Sequence, residues 1–335
     1  MKRRLSGLLL AVLLLFSGCS AGRSLSDRAI VKAVYLDQGE TGYEAALVVF
    51  TCQPISDTKS VEETAEIYSG SGETVEEALA DAEKKQTRQA FYAQDELLLL
   101  GPGIWSADIA PPLAYFQQEK AARAGLSVFL TPLDSKAFGE CTDTIASVVQ
   151  EGERIVDASL AGDGPARGIY TLETAGGNVE GWLPMLDFGP DPQTQVGVFR
   201  LALLEQGRAT ALIEGPLMDL AMLLSGNTSR LRFQSSALSF ATQHLRSIKT
   251  MENGKLAVRL EGNVQEITLH GENVKTDEAL AVVNETLSLL LTQLGRITLG
   301  EGNDAFHLVW WMRQNNAEAP AVPVRYESRL QMLRQ

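Results

Sequence analysis

Apolar and polar residues alternate near the start of the chain in a pattern that predicts a β-hairpin followed by a helix. Residues 29–36 and 43–52 are rich in β-forming side chains, and the turn-forming stretch 37–42 separates them. Thr74 starts a capping-box pattern, and the apolar residues after it keep helical spacing to about Ala93. We therefore expect two antiparallel strands and then an amphipathic helix.

The pattern continues with a buried strand, a second helix and another strand. The unbroken apolar run 97–100 is typical of a strand that is covered on both faces. Asp108 is placed to cap a helix whose inward residues include Leu113 and Phe116, and residues 126–130 predict the next strand. The order β-β-α-β-α-β favours a mixed sheet covered by helices.

The hydrophobic periodicity weakens between residues 132 and 195 and then returns. A helix is predicted over 142–160 in this middle region. Gly189-Pro190-Asp191-Pro192 is the strongest linker signal that we find in the chain. We therefore expect the main domain boundary there.

The last third predicts a further unit of strands and helices. Strands over 197–204 and 209–213 form a hairpin, and Pro216 begins a short helix that Gly226 ends. Three more strands are predicted over 231–240, 256–269 and 322–330. The longest predicted helix covers 277–294, with Leu280, Val283, Leu287, Leu290 and Leu291 facing inward and Glu278, Asn284, Glu285 and Thr292 facing outward.

We therefore predict a multidomain α+β fold with three domains, in which mixed sheets are each covered by helices. The length of 335 residues agrees with this, since a domain typically has ~150 residues. The predicted parts are a signal peptide over 1–18, an N-terminal α+β domain over 19–131, a middle α+β domain over 132–194 and a C-terminal α+β domain over 195–335.

Charge and composition narrow the possible functions. The chain has 29 basic and 42 acidic residues, a net charge of −13, and we find no basic patch after residue 4. Such a chain repels phosphate backbones, so we expect no binding to nucleic acid. With three histidines and three cysteines it has little material for a multi-histidine metal site or a cysteine-rich scaffold.

The first 19 residues have the pattern of a cleaved export signal. Lys2, Arg3 and Arg4 precede the apolar run 8–16, which is about half the ~20 residues that span a bilayer. The run ends Phe16-Ser17-Gly18-Cys19, which resembles the bacterial lipobox, in which the cysteine is acylated and becomes the new N-terminus. Cleavage would remove three basic residues and leave a body with a net charge of −16. We expect this body to be tethered through Cys19.

Two cysteines remain after export, and their state is open. Cys52 and Cys141 could pair in a compartment that permits disulfides. Cys52 fits a buried thiol in a strand equally well. Both alternatives are retained.

A search for catalytic and binding motifs gives little. Gly300-Glu301-Gly302 follows a helix, whereas a dinucleotide-binding turn follows a strand, and Gly70-Ser71-Gly72 fits a turn better than a nucleophile elbow. The carboxylate pairs Glu62-Glu63 and Glu76-Glu77 fit solvated faces. We therefore predict no catalytic, cofactor or metal site. The cluster of His307 with Trp310 and Trp311 could form a stacking pocket for a ligand, or simply core.

Several segments together resemble the Ger(x)C family, the lipoprotein subunit of spore nutrient-germinant receptors. The likeness begins at Cys19 and at the opening strand that ends at Asp37, and it is strongest over the glycine, threonine and alanine pattern of residues 70–79. Similarity continues, as a pattern of elements, over 97–101 with 112–129, over 198–199 with 211–215, and from the long helix through Leu299-Gly300 to Trp310-Trp311.

The resemblance implies an α+β lipoprotein of three domains on the outer face of the cytoplasmic, or inner spore, membrane. It also implies action beside two integral membrane receptor subunits, by association and without known catalytic activity. A substrate-binding lipoprotein of a membrane transporter is the alternative, but such a protein needs two similar lobes around a cleft. A lipid-anchored hydrolase is disfavoured by the missing nucleophile motif.

Overall fold

The computed structural model describes residues 28–54, 61–92, 96–118, 125–141, 144–161, 164–172, 174–175, 178–188, 196–253, 255–270, 275–315 and 324–333. Cys19 and the predicted signal and linker lie outside these residues. The fold is α+β with mixed sheets, as predicted, and the number and bounds of the domains stay predictions.

A ten-stranded mixed sheet dominates the structure, with eight of its strands in the order β12-β11-β10-β6-β5-β1-β2-β3. Its strands are β1 (Arg28–Gly39), β2 (Gly42–Pro54), β3 (Val61–Gly72), β4 (Gln89–Phe91), β5 (Leu97–Leu100), β6 (Ser127–Leu130), β7 (Arg167–Gly168), β10 (Gly181–Phe188), β11 (Val196–Glu205) and β12 (Arg208–Glu214). The central strands β1, β5, β6 and β10 run parallel, and antiparallel hairpins extend the sheet on both sides. Strands β8 (Thr174–Ala175) and β9 (Asn178–Val179) form a separate small hairpin.

Helices cover both faces of this sheet. One face packs against α1 (Val75–Lys84), α2 (Pro102–Ala107) and α3 (Ala110–Gln118), and the other packs against α4 (Ser135–Glu140) and α5 (Ile145–Leu160). All four residues of β5 are fully buried, because the strand has a helical layer on each side. The predicted buried strand is therefore confirmed.

A second sheet of four strands forms the C-terminal part of the structure. It has the order β13-β14-β15-β16, with β13 (Arg232–Gln234), β14 (Leu238–Glu252), β15 (Lys255–Leu269) and β16 (Val324–Met332). Helices α6 (Pro216–Leu224), α7 (Thr276–Ile297) and α8 (Leu308–Gln314) share one apolar core with it. The predicted long helix and closing strand are present, but the strand predicted over 231–240 is wrong, because the chain turns at residues 235–237 and forms the two antiparallel strands β13 and β14.

The two sheets share this second core. Trp182 of β10 and Leu201 and Leu203 of β11 belong to the same cluster of buried side chains as α6 and α7. The Asn303 amide also donates a hydrogen bond of 2.9 Å to the Leu204 carbonyl. The predicted boundary at 194/195 falls between β10 and β11, which pair with each other in one sheet.

Three local predictions are corrected. The first predicted helix ends at Lys84 instead of about Ala93, because the chain turns back to pair β4 with the start of β1. The helix predicted over 142–160 begins at Ile145, and the short α4, capped by Asp134, precedes it. Strand β3 was not predicted, because this edge strand has few buried side chains among its described residues.

Asn284 was predicted to face outward on the long helix, and this is wrong. Its side-chain oxygen accepts hydrogen bonds from the Leu330 backbone N–H at 2.7 Å and from the Ser328 hydroxyl at 2.9 Å. Its amide group also donates to the Leu330 carbonyl at 3.3 Å. A polar residue thus joins α7 to the backbone of β16, a contact that helical spacing does not show.

Candidate functional site

The motifs that sequence analysis dismissed as catalytic have structural roles or are exposed. Glu76 and Glu77 are exposed on the first turn of α1, where Glu77 accepts a hydrogen bond of 3.0 Å from the Glu73 N–H. Thr74 caps the same helix, since its hydroxyl oxygen accepts from the Glu77 N–H at 3.2 Å. The side chains of Glu62 and Glu63 lie outside the described residues.

Gly70-Ser71-Gly72 forms the end of β3 rather than the predicted turn. A Cβ atom at Gly70 would lie 2.2 Å from the Ala82 nitrogen, and one at Gly72 would lie 2.5 Å from the Glu77 Cβ. The two glycines therefore let α1 lie directly on the strand. Their pattern reflects close packing and not a nucleophile.

A cavity of about 510 Å³ lies beside the shared core. It is lined by Ala166, Arg167, Gly168, Thr171, Trp182, Leu224, Ser225, Asn227, Lys249, Ala305, Phe306, His307 and Trp310. These residues come from the region of β7, from β10, from the end of α6, from β14 and from the loop into α8. Its size lies within the ~300–1,000 Å³ range of small-molecule sites.

Arg167 is held in one wall of this cavity by backbone carbonyls. Its guanidinium donates hydrogen bonds of 3.1 Å to the carbonyl oxygens of Trp182 and Thr171. The same group lies 5.0 Å from the centroid of the Trp182 ring, a cation–π distance. The positive charge is thus fixed in position beside a buried aromatic ring.

Lys249 brings a second positive charge to the cavity from the opposite sheet. Its ammonium donates to the Phe306 carbonyl at 3.3 Å. Burial lowers the pKa of this ammonium from its ordinary value, and the negative charge of Asp304 opposes that shift. Lys249 is therefore partly desolvated.

Asp304 organises the rim of the cavity by capping α8. Its carboxylate accepts hydrogen bonds of 2.6 to 3.1 Å from the backbone N–H groups of Leu308, Val309 and Trp310. His307 adopts a left-handed conformation with φ of 53°, which is strained for a residue other than glycine. The loop is thereby held in a shape that places His307 and Trp310 at the cavity.

The cluster of His307, Trp310 and Trp311 had two open interpretations, a ligand pocket or part of the core. The structure places some of these residues in a cavity and one against the core. His307 and Trp310 line the cavity, and 58% of Trp310 is exposed. Trp311 is half-buried and packs against the second core. One tryptophan therefore serves packing and the other is available at a concave surface.

A second groove, lined by His244, Arg246, Glu261, Gly262, Asn263, Arg329 and Gln331, lies on the four-stranded sheet. Its acidic residue Glu261 pairs with Arg246 at 3.1 Å, and Arg329 pairs with Glu327 at 3.3 Å. These charges satisfy one another, so this groove is the weaker candidate.

No group of three or more histidine, cysteine, aspartate or glutamate side chains is arranged to hold a metal ion among the described residues. None of the helices described is both long enough and apolar enough to cross a bilayer. Cys141 is a free thiol in the described part of the chain, and the side chain of Cys52 lies outside that part.

Arg167, Trp182 and Lys249 were not identified from the sequence as site residues. Sixty-seven positions separate Trp182 from Lys249, and each belongs to a different strand. No local motif joins them, because the fold alone brings them to one cavity. The burial of Lys249 is a property of the fold, and the local sequence signal for this cavity is the cluster of His307 and Trp310.

Comparison with known proteins identifies the N-terminal part. The family model described as "Spore germination protein N-terminal domain" matches residues 22–139. A solved structure titled "Crystal Structure of the GerBC protein" covers 89% of this chain and 96% of its own, with 10% identity and a TM-score of 0.46. No curated protein matches the chain. Residues 22–139 are thus similar to the N-terminal domain of spore germination proteins.

Proposed function

We propose that the protein is the lipid-anchored subunit of a spore nutrient-germinant receptor and acts in germination signalling by protein association. The observation that carries the proposal is the match of residues 22–139 to the spore germination N-terminal domain. This segment contains the central strands β1 and β5, and helices α1 to α3 that cover one face of the large sheet.

The lipid anchor is proposed from the sequence before the first strand. Cys19 follows a short apolar run and two small residues, and eight residues separate it from Arg28, where β1 begins. Eight extended residues reach at most ~29 Å. Acyl chains on Cys19 would hold the body this close to the outer face of the cytoplasmic membrane, since each buried methylene contributes ~0.8 kcal/mol.

Confinement to the membrane plane supports a role by association. A tethered protein meets membrane partners at a raised effective concentration, so modest surface contacts are enough for assembly. The proposed partners are the integral membrane subunits of the receptor. We propose no enzymatic turnover, because the sequence motifs considered for nucleophilic catalysis form a packed strand end and exposed carboxylates.

The transporter alternative needs two similar lobes around a cleft. The sheets beside the cavity instead have ten and four strands, with different strand orders. This difference favours the receptor proposal.

Affinity capture from membranes of sporulating cells tests the proposal. The tagged full chain should recover two integral membrane receptor subunits, and the Cys19→Ala chain, expressed at the same level, should recover much less of both. Recovery of a permease with its ATPase in place of those subunits would establish the transporter alternative.

A further inference from the structure

We propose that the cavity between the two sheets binds a small organic anion, with its carboxylate at Lys249 and its apolar or aromatic body against Trp310. This inference goes beyond the association role and does not depend on it. It assigns a ligand class to the cavity of about 510 Å³ described above.

The charge of the lining is the first observation. The described residues that line the cavity include Arg167 and Lys249 and contain no aspartate or glutamate. The whole chain has 42 acidic and 29 basic residues, so an average surface of this protein carries more negative than positive groups. The lining reverses that balance and therefore favours an anion.

The environment of Lys249 is the second observation. Its register partner on β15 is Val258, which is fully buried, so the lysine stem lies beside the apolar core. The ammonium has three N–H donors, and the described structure shows one hydrogen bond from it, to the Phe306 carbonyl, and no salt bridge. A partly desolvated charge without a close counter-ion costs free energy, and a ligand carboxylate would remove that cost.

Asp304 does not act as a close counter-ion for the Lys249 ammonium. Its carboxylate already accepts the N–H groups of Leu308, Val309 and Trp310. It acts on Lys249 through its charge, and it is not a lining residue of the cavity. The space in front of the ammonium is therefore left to a ligand.

Trp310 supplies the apolar part of the site. The residue is 58% exposed although its backbone N–H is bound by Asp304, so an aromatic side chain is presented at a defined position. Phe306 and Trp182 continue the aromatic lining inward. A flat apolar body that stacks on Trp310 would bury this surface, and Arg167 adds positive charge on the other side.

Fluorine NMR tests the proposal with 4-fluorobenzoate as the probe. The full lipidated chain is held in nanodiscs of uncharged phospholipid, and empty nanodiscs give the baseline. We expect saturable broadening of the probe signal by the wild-type chain, and much weaker broadening of 4-fluorobenzamide, which has the same ring without the charge.

Matched variants locate the binding. Lys249→Met keeps the apolar stem and should weaken binding by about tenfold, because it removes the charged hydrogen-bond donor. Trp310→Ala should weaken binding by about threefold or more, since a stacking surface is lost. Lys255→Met and Leu289→Ala remove an exposed charge and an exposed apolar side chain elsewhere, and both should bind like the wild type.

The proposal is overturned if Lys249→Met binds the probe as tightly as the wild type, if the benzamide binds equally well, or if no saturable binding occurs. Competition then separates two sources of the carboxylate. Displacement by N-acetyl-Gly-Phe but not by its amide would indicate the C-terminus of a peptide chain. Failure of this peptide to compete, with the benzoate still bound, would indicate a free small acid.

Discussion

The Asp37 carboxylate accepts a hydrogen bond of 2.8 Å from the Gly103 backbone N–H and thereby ties the end of β1 to the first turn of α2. It also accepts from the Gln38 N–H at 2.9 Å and from the Tyr35 hydroxyl at 3.1 Å. A Cβ at Gly103 would lie 2.0 Å from the Gln38 carbonyl oxygen, so the glycine is needed for this close approach. Asp37, near the end of β1, thus has a structural role.

Asp37→Ala should lower the stability of the full chain by about 2–4 kcal/mol, because the N–H groups of Gln38 and Gly103 lose their acceptor at a buried position, while the Tyr35 hydroxyl keeps the Leu133 carbonyl at 2.9 Å. Asp37→Asn should cost less, since one carbonyl oxygen remains. Urea unfolding followed by circular dichroism measures both, and Glu40→Ala at an exposed turn is the control. Equal stability of Asp37→Ala and the wild type would show that these hydrogen bonds are not needed.

Gly70→Ala should destabilise the chain by about 2–4 kcal/mol, because the new methyl group would lie 2.2 Å from the Ala82 backbone nitrogen. Helix α1 would have to move away from β3. Ser71→Ala in the same strand is the matched control, since Ser71 is exposed and its N–H is retained. A thermal midpoint for Gly70→Ala equal to that of the control would contradict the close packing of α1 on β3.

Elements with a strong apolar pattern were predictable from the sequence. The first hairpin, strand β5 and the long helix α7 bury side chains at regular spacing, so their pattern alone indicates them. Strand β3 lies at the sheet edge and shows few buried residues, which explains why it was missed. The end of α1 at Lys84 was not predictable, because it depends on the pairing of β4 with β1, which lie far apart in the sequence.

The cavity was only partly predictable. The local cluster of His307, Trp310 and Trp311 indicated a possible pocket, because these three residues are close in sequence. Lys249 and Arg167 reach it from β14 and β7, and their approach depends on the packing of the two sheets. Tertiary placement of this kind leaves no periodic signal in the sequence.

Replacing Cys19 by Ala should release the protein from the membrane fraction, because the substitution removes the thiol that we propose carries the acyl chains. Fractionation of sporulating cells with immunoblotting measures this release. A Cys141→Ala chain is the control, since this cysteine lies in the described body and carries a free thiol. Membrane retention of Cys19→Ala at the wild-type level would defeat the lipid anchor.

Limited proteolysis tests the predicted linker at residues 189–192. The sequence predicts cleavage there, and the pairing of β10 with β11 predicts that the two fragments stay together under native conditions. Gel filtration before and after addition of denaturant distinguishes the outcomes. Fragments that separate without denaturant would instead support an independent C-terminal domain from residue 195.

Alkaline pH should destabilise the protein in part through Tyr326. Burial, together with the charge of Asp304, raises the pKa of this phenol to about 12, from 10.0. A Cβ atom at Gly295 would lie 2.4 Å from the Tyr326 ring. Helix α7 therefore packs directly on this tyrosine. The folded state therefore holds the phenolic proton more tightly than the unfolded state does.

A pKa that is raised on folding gives stability that is complete below pH 10 and is lost as the pH rises towards 12. With allowance for partial exposure, we expect Tyr326 to account for a loss of about 2 kcal/mol over that interval. Burial also raises the pKa of Tyr35 and Tyr43, so these groups contribute to the alkaline loss of stability as well. Tyr326→Phe should therefore remove only part of that loss. Urea midpoints at pH 9 and at about pH 11.5 measure it, with Tyr170→Phe at an exposed site as the control. The same alkaline loss in Tyr326→Phe and in the wild type would contradict this role of Tyr326.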